Sequence, residues 1–208
     1  MTMAPDVVIV DYGVGNVGSL SNMFRKLGKI ALLSSDPTIV ETARRLILPG
    51  VGSFDHAVIR LRNSGLIEPI IRATQRGVPV LGVCLGMQLL LDGSDEGSEP
   101  GLGLIPGRVK KFPVQFGEGQ LRVPHMGWNT LAPAKQSKLL PNLGRGDRYY
   151  FVHSYYAVPA DDADTLAHTT YGPTFASVLE RGNIVAAQFH PEKSHRFGLK
   201  FLSDFSES

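Results

Sequence analysis

Short apolar runs followed by glycine-containing turns mark the first half of the chain. Residues 7–10 and 46–48 are two such runs, and residues 78–83 repeat the pattern. Runs of this kind are typical of buried strands that end in a loop. Between them, over residues 19–27 and 54–62, apolar positions recur at helical spacing. The alternation predicts a three-layer α/β fold with a mainly parallel central sheet, helices on both faces, and functional loops at the carboxyl ends of the strands.

The second half of the chain has a different pattern from residue 101 onward. Turns that contain Pro, Gly or Asp separate short β-rich segments, which cover residues 107–114, 149–158, 175–180 and 184–189. We expect antiparallel strands that extend the same sheet, and a final helix over residues 196–205. The segment 92–103, rich in Gly, Ser and acidic residues, is predicted to be a surface loop. It is too short for an interdomain linker, so residues 1–208 are expected to form a single domain.

Composition narrows the class of protein. Of the 208 residues, 43% are hydrophobic and 19% are charged, which is typical of a globular protein. The formal net charge is +2 and the basic residues are scattered, so no nucleic-acid partner is expected. No apolar stretch reaches membrane-spanning length and no signal sequence is recognisable, so no membrane association is expected. The single cysteine, Cys84, cannot form an internal disulfide, which favours a reducing, cytoplasmic setting.

Cys84 lies in a pattern that is typical of a nucleophile. An apolar strand leads into Gly82-Val-Cys-Leu-Gly86, and helical spacing follows from Met87. This is a nucleophile elbow with cysteine in place of serine. Glycines are required two positions before and after the cysteine because the sharp turn leaves no room for a Cβ. A helix that begins after Cys84 favours the thiolate. The alternative is a buried, unreactive thiol.

His190 and Glu192 are the predicted partners of the nucleophile. A thiolate that attacks an amide requires a proton donor for the leaving nitrogen, and histidine is the usual donor. His190 is the best placed of the six histidines, because it ends an apolar strand and Pro191 keeps it extended. Glu192 projects to the same side of the extended segment and is predicted to orient the imidazole.

The other five histidines are weaker candidates. Two are flanked by Gly, Trp, Tyr and Ser near strand ends and are expected to line the cleft without transferring protons: His125 and His153. Three are expected to be surface or packing residues: His56, His168 and His195.

Two glycine-rich loops indicate different chemistry. The glycines of Pro49-Gly-Val-Gly-Ser53, which follows the second predicted strand, allow backbone N–H groups to point into a cleft. With the N–H of Leu85, this loop is predicted to bind a developing oxyanion. The other loop, Gly13-Val-Gly-Asn-Val-Gly18, is followed by Asp36 and matches a dinucleotide-binding fingerprint. A dinucleotide-binding domain would leave too few residues for a substrate domain, and it would assign no function to Cys84 and His190.

Several motifs resemble those of the class I, or triad, glutamine amidotransferases, and they occur in that family's order: Pro49-Gly-Val-Gly, Gly82-Val-Cys-Leu-Gly-Met-Gln88 and Gln188-Phe-His-Pro-Glu192. Three more are similar to the members that act in histidine biosynthesis: Asp11-Tyr-Gly-Val-Gly-Asn16, Val123-Pro-His-Met-Gly-Trp-Asn129 and Tyr150-Phe-Val-His-Ser-Tyr155. The resemblance spans nearly the whole chain. It implies a flavodoxin-like fold and an enzyme that needs no metal and no other cofactor.

The resemblance also implies a reaction and the residues that perform it. The triad would hydrolyse glutamine to glutamate and ammonia through a cysteine thioester, using Cys84, His190 and Glu192. The oxyanion hole would be formed by Val51, Gly52 and Leu85. Glutamine would be held by Gly52, Gln88, Ser154 and Tyr155. The partner in this family is a (β/α)8-barrel cyclase, which forms a heterodimer with the glutaminase and receives ammonia through the barrel. The interface would include Asn16, Tyr150 and Lys193.

Two other functions stay open on the sequence alone. A glutaminase of another pathway, for example one that feeds pyridoxal phosphate synthesis, would bind a different barrel. A cysteine hydrolase or peptidase of the same fold would act at full rate without a partner.

Overall fold

The structure is a computed structural model that describes residues 5–144 and 146–208. Strands of two to eight residues account for most of its regular elements. In chain order they are β1 Val7–Val10, β2 Ala31–Ser34, β3 Leu46–Gly50, β4 Val80–Cys84, β5 Gly93–Ser94, β6 Gly107–Lys111, β7 Gln115–Phe116, β8 Gly119–Gln120, β9 His125–Thr130, β10 Ala132–Pro133, β11 Arg148–His153, β12 Tyr155–Pro159, β13 Thr165–Thr170, β14 Thr174–Arg181 and β15 Ile184–Ala187.

The central sheet is parallel at one end and mainly antiparallel at the other. Its order is β2-β1-β3-β4-β15-β14-β12-β6-β5. The first five strands run parallel to one another, whereas β14 and β12 run antiparallel to their neighbours. β13 pairs with both β14 and β10. The predicted parallel sheet with an antiparallel extension is therefore confirmed.

Helices cover both faces of this sheet. They are α1 Val17–Lys26, α2 Pro37–Glu41, α3 Phe54–Asn63, α4 Ile67–Gln75, α5 Leu85–Leu89 and α6 His195–Glu207, with short 3-10 helices at Asp162–Asp164 and Pro191–Lys193. The capping carboxylate of Asp36 starts α2, because it accepts hydrogen bonds from Thr38 N and Ile39 N. Within the described ranges, no helix combines the length and the apolar character that a membrane crossing requires.

Alternate residues of the parallel strands enter two separate apolar cores. In β1, Val8 and Val10 contact the core shared with α2, α3 and α4, whereas Val7 and Ile9 contact the core shared with α1 and α6. Each fully buried aliphatic side chain contributes about 1.5–3 kcal/mol to folding. Burial on both faces explains why the strands appear in the sequence as continuous apolar runs, and it confirms the three layers.

The segment 149–158 differs from its prediction. It forms two strands, β11 and β12, separated at Ser154, and only β12 joins the central sheet. β11 pairs with β9 in a separate two-stranded sheet, and β7 and β8 form another. The expectation that all antiparallel strands extend one sheet is therefore wrong. The inward residues Tyr149, Phe151, His153 and Ala157 keep the same parity across the break, so the hydrophobic pattern gives no sign of it.

Candidate active site

Cys84 occupies a strained turn between a strand and a helix. It is the last residue of β4 and directly precedes α5. Its φ of 54° and ψ of −109° are rare for a residue with a side chain. Such a conformation costs on the order of 1–3 kcal/mol and persists only where the surrounding structure imposes it. The turn leaves the side chain of Cys84 at the wall of a cavity.

The glycines around Cys84 are required by close backbone contacts. A Cβ on Gly86 would lie 1.8 Å from the carbonyl oxygen of Leu48 in β3. A Cβ on Gly82 would lie 2.6 Å from Leu90 Cδ1 and 2.9 Å from the carbonyl oxygen of Gly86. All three distances are too short for a real Cβ. The predicted reason for the two elbow glycines is therefore confirmed.

The structure brings His190 and Glu192 next to Cys84. β15 runs parallel to β4, and His190 follows shortly after β15, so both side chains reach the same edge of the sheet. Cys84 and His190 line the same cavity, and His190 Nδ1 lies 2.8 Å from Glu192 Oε1. The side chains of His190 and Glu192 are 3% and 1% exposed, so water does not separate them. The three side chains form a Cys-His-Glu cluster.

The buried cluster stabilises a protonated imidazole. Burial alone would lower the pKa of His190, but hydrogen bonds with Cys84 and Glu192 and their negative charges raise it to about 10. Glu192 Oε1 also accepts a weaker hydrogen bond from Asn16 Nδ2 at 3.4 Å. Among the described residues, Glu192 Oε2 has no hydrogen-bond partner. Among the described residues, the charged group in contact with this carboxylate is the imidazolium of His190.

A cavity of about 400 Å³ opens beside Cys84 and His190. Leu85 is the first residue of α5, so its N–H has no acceptor within the helix and is free to bind an anion. Gly52 has a φ of 98°, which glycine adopts readily and other residues rarely do. All the residues predicted for glutamine binding and for the oxyanion hole line this cavity: Val51, Gly52, Leu85, Gln88, Ser154 and Tyr155.

Gln188 and Glu96 also belong to this site, although neither was assigned a role from the sequence. Gln188 is fully buried, and its Nε2 lies 3.9 Å from Cys84 Sγ. It lies two residues before His190. Side-chain alternation along an extended strand could therefore have indicated that Gln188 projects to the same side as His190. Glu96 lines the cavity and accepts a hydrogen bond from Phe54 N at 2.9 Å. That contact joins residues 42 positions apart, so no local pattern indicates it.

The segment 92–103, predicted to be a surface loop throughout, contains the buried strand β5 at Gly93–Ser94, and the residues that follow this strand are held against α3. The carboxylate of Asp55 accepts hydrogen bonds from Ser98 N and Glu99 N, both at 3.0 Å. Arg62, at the other end of α3, forms an ion pair with Glu99. The loop that contains Glu96 therefore has a fixed position beside the cavity.

The residues predicted for a partner interface lie next to the cluster. Asn16 is directed inward, onto Glu192. The carbonyl oxygen of Tyr150 accepts a hydrogen bond from His190 N at 2.9 Å. Lys193 Nζ lies 5.9 Å from the centre of the Tyr150 ring, and Lys193 also lines the cavity. A protein bound at Tyr150 and Lys193 would therefore contact the segment that carries His190.

The remaining histidines take three kinds of position. His56 and His195 are exposed, and His168 is partly buried on β13. His153 lines the cavity as expected, whereas His125 lies behind it, stacked between aromatic rings. The prediction that both line the cleft is therefore wrong for His125. Within the described part of the chain, no three His, Cys, Asp or Glu side chains are grouped as a metal site.

The loop that matches a dinucleotide fingerprint lacks the packing that such a site requires. In dinucleotide-binding folds the third glycine lets the helix pack closely on the strand. Here a Cβ on Gly18 would meet no atom within 4 Å. A Cβ on Gly15 would lie 2.9 Å from Pro49 Cβ, so this loop packs against the carboxyl end of β3. The geometry argues against a dinucleotide site.

The fold and the cluster define a class: an α/β protein with cysteine, histidine and glutamate at the carboxyl ends of adjacent parallel strands. Residues 8–207 match the family Glutamine amidotransferase class-I. The chain belongs to this family, as its motifs predicted.

Similar sequences agree with this assignment, and solved structures share the fold. The chain is 45% identical over 204 residues to the imidazole glycerol phosphate synthase subunit HisH of Syntrophotalea carbinolica, covering 97% of this chain and 99% of that protein. It is 44% identical over 200 residues to HisH 2 of Methanococcus maripaludis, covering 96% and 98%. A chain of PurLQS from Thermotoga maritima has the same fold, with a TM-score of 0.68, 19% identity, and coverage of 99% of both chains. A crystal structure of a glutamine amidotransferase gives a TM-score of 0.74 at 18% identity, with coverage of 97% and 99%.

Proposed function

We propose that this chain is the glutaminase subunit of imidazole glycerol phosphate synthase in histidine biosynthesis. It hydrolyses glutamine and passes the ammonia to a cyclase that makes imidazole glycerol phosphate and AICAR. The observation that carries the proposal is the Cys-His-Glu cluster at the cavity wall. Identity of about 45% to HisH subunits over nearly the whole chain supports the pathway.

The cluster accounts for each proton in the reaction. Cys84 Sγ attacks the side-chain amide carbon of glutamine, and the carbonyl oxygen becomes an oxyanion. The imidazolium of His190 then gives its proton to the amide nitrogen, which leaves as ammonia while the thioester forms. Neutral His190 next takes a proton from water, whose oxygen attacks the thioester carbon. Glutamate and the thiolate are released, and His190 is again protonated. Glu192 stabilises the imidazolium.

The cavity provides the other groups that this reaction needs. The free N–H of Leu85, together with the backbone at Val51 and Gly52, would stabilise the oxyanion. Glutamine would be held by Gly52, Gln88, Ser154 and Tyr155. The carboxylate of Glu96 would bind the α-ammonium group, since it is the acidic side chain among the residues that line this cavity.

The proposed partner is a (β/α)8-barrel cyclase, as the family resemblance implies, and the chemistry of ammonia supports a bound partner. Free ammonia is protonated in neutral water and ammonium is not a nucleophile, so the product must reach its acceptor through a sheltered route. Met126 and Trp128 are 61% and 39% exposed on β9, beside Tyr150 and Lys193. Exposed aromatic and sulfur-containing side chains around an enzyme site are typical of protein interfaces. A cytoplasmic location fits the free thiol of Cys84.

Glutamate release from glutamine tests the proposal. The purified chain would be assayed alone and mixed with a histidine-pathway cyclase and its nucleotide substrate, with Cys84→Ala as the blank. We expect low activity alone, a rise of at least about tenfold in the mixture, and none in the variant. Full activity without a partner would indicate an independent hydrolase, and no activity in the mixture would exclude this pathway.

A further inference from the structure

A line of hydrogen bonds connects Asn129 to the region of Cys84, and two of its members, His153 and Gln88, line the cavity. In its outer part, His125 Nδ1 lies 3.0 Å from His153 Nε2, and His153 Nδ1 lies 2.7 Å from the carbonyl oxygen of Tyr155. Asn129 Nδ2 lies 3.3 Å from His125 Nε2. The proposed proton transfers use neither histidine, so the pair needs another explanation.

One arrangement of protons satisfies this outer part when both imidazoles are neutral. The Tyr155 carbonyl only accepts, so His153 carries its proton on Nδ1 and its Nε2 is an acceptor. His125 therefore carries its proton on Nδ1 and donates to His153, and the Asn129 amide donates to His125. Burial lowers the pKa of His125 to about 4 and that of His153 to about 3, so both stay neutral at physiological pH. In each of these hydrogen bonds, the donor and the acceptor are therefore determined.

The inner part of the line orients two glutamine side chains. Gln88 Nε2 donates to the Tyr155 carbonyl at 3.3 Å and to Gln188 Oε1 at 3.1 Å. Gln188 Nε2 is directed at Cys84 Sγ, 3.9 Å away. A carbonyl oxygen and a thiolate can only accept hydrogen bonds. The amides of Gln88 and Gln188 therefore direct their N–H groups at the Tyr155 carbonyl and at Cys84 Sγ. Gln88 lines the cavity, and because both N–H groups of its Nε2 are engaged, Oε1 is the side-chain polar atom left for a ligand.

Among the described residues, aromatic rings pack around the two histidines. The His125 ring is stacked between Phe151 and Tyr171, with ring centres 4.8 Å and 4.0 Å away. His153 lies against Phe112 and Phe175, both with ring centres at 5.3 Å. Apolar neighbours of this kind fix the rings and offer no competing hydrogen bonds.

We propose that two positioning residues of the glutaminase hold the Gln88 amide with its oxygen toward the cavity. Gln188 accepts directly from Gln88 Nε2, and His153 fixes the Tyr155 carbonyl to which Gln88 also donates. Gln88 Oε1 accepts a hydrogen bond from an N–H of the bound substrate, either from the substrate's amide or from its ammonium group. If the Gln88 amide were reversed, its own N–H groups would face this donor and no hydrogen bond could form. The Tyr155 carbonyl fixes the tautomer of His153, and the hydrogen bonds of His125 and Asn129 match that tautomer. This inference rests on the proposed function, since it assigns the orientation of a residue in the glutamine pocket.

The test compares two substitutions of His153 in the complete complex with the cyclase. His153→Phe keeps an aromatic ring but removes both nitrogens, whereas His153→Asn keeps a donor close to the position of Nδ1. We expect His153→Phe to raise KM for glutamine about tenfold, as loss of one buried hydrogen bond implies, with kcat changed less than about threefold. His153→Asn should keep KM within about threefold of the parent. His56→Phe, on the exposed side of α3, is the control for the added phenylalanine.

A second background shows whether His153 acts through Gln88. In a Gln88→Ala complex, His153→Phe should change KM by less than about twofold, because the amide that it orients is missing. An equal rise of KM in both backgrounds, or no rise in the parent, would overturn the inference. If His153→Phe does not fold, Gln188→Met in the same two backgrounds answers the same question. A parent complex that neither binds nor hydrolyses glutamine would instead overturn the proposed function itself.

Discussion

Gly86 lies where the turn after Cys84 passes closest to β3. Because a Cβ there would meet a backbone carbonyl at 1.8 Å, no side-chain movement can relieve the clash. We predict that Gly86→Ala lowers the free energy of unfolding by about 3 kcal/mol or more and abolishes glutamate release. Gly18→Ala is the matched control, since its Cβ would meet nothing within 4 Å inside α1. It should leave stability unchanged or raise it by about 0.4–1 kcal/mol. Urea unfolding curves would compare them, and equal curves would contradict the prediction.

The protonation of His190 sets the alkaline limit of activity. Its pKa is raised from the ordinary value of 6.5 to about 10, so the proton donor is present at neutral pH and is lost as pH rises through about 10. We predict that kcat/KM for glutamine declines on the alkaline side near that pH. Glu192→Gln removes one of the two charges that raise the pKa, so the decline should move to lower pH and the rate should fall at least about a hundredfold. Glu118→Gln, in the exposed turn after β7, should leave the profile unchanged.

The same pKa of His190 also affects stability. The raised pKa contributes folding stability that is fully present below pH 6.5 and is lost as pH rises through about 10. Loss of activity and loss of stability therefore coincide in alkaline solution, and far-ultraviolet circular dichroism at each pH separates them.

At the level of elements, Asp55 connects α3 to the loop that contains Glu96. Its hydrogen bonds to the backbone N–H groups of Ser98 and Glu99 hold this loop and lower the pKa of the Asp55 carboxyl. We predict that Asp55→Ala raises KM for glutamine about three- to tenfold, because Glu96 is no longer held beside the cavity. Asp161→Ala is a matched control, since Asp161 caps the 3-10 helix at Asp162–Asp164 in a similar way. Unchanged KM in Asp55→Ala would exclude this role of the loop.

Local sequence patterns were sufficient to predict the strand that ends at Cys84 and the elements next to it. The apolar runs of β1, β3 and β4 and the helical spacing of α1 and α3 depend on neighbouring residues, so the sequence alone predicts them. The glycine spacing around Cys84 likewise predicts the turn, because the steric requirement is local.

Features that depend on distant contacts were not predictable in this way. The separation of β11 from β12 is set by which strands they pair with, and side-chain parity does not change across it. Glu96 reaches the cavity through a contact with α3. Gln188 acquires its partner Gln88 from 100 positions away. Each requires the folded chain to bring separate segments together.

For the whole molecule, the two buried histidines make folding sensitive to acid. His125 and His153 stay neutral in the folded state down to about pH 4 and 3, whereas both titrate near 6.5 in the unfolded chain. Their contribution to stability is therefore complete above pH 6.5 and declines as pH falls toward 4. His190 is protonated in both states below pH 6.5, so it does not oppose this trend.

We predict that the free energy of unfolding falls between pH 6.5 and 4 by up to about 1.4 kcal/mol per pH unit for each of these two histidines. Urea titrations at several pH values would measure the slope. Replacing both histidines with phenylalanine should reduce it, whereas His56→Phe should not. A slope that is unchanged in the double variant would show that other groups cause the acid sensitivity.

The catalytic residues come from both halves of the chain, and the pairing of β4 with β15 brings them together. The hairpin of β7 and β8 lies between them and is exposed at every position. A chain cut in that hairpin yields one fragment with Cys84 and another with His190 and Glu192. The fragments would regain activity only when β4 meets β15 and β6 meets β12. Fused to two proteins that bind each other, such fragments would form a split-enzyme reporter, in which ammonia release records each association.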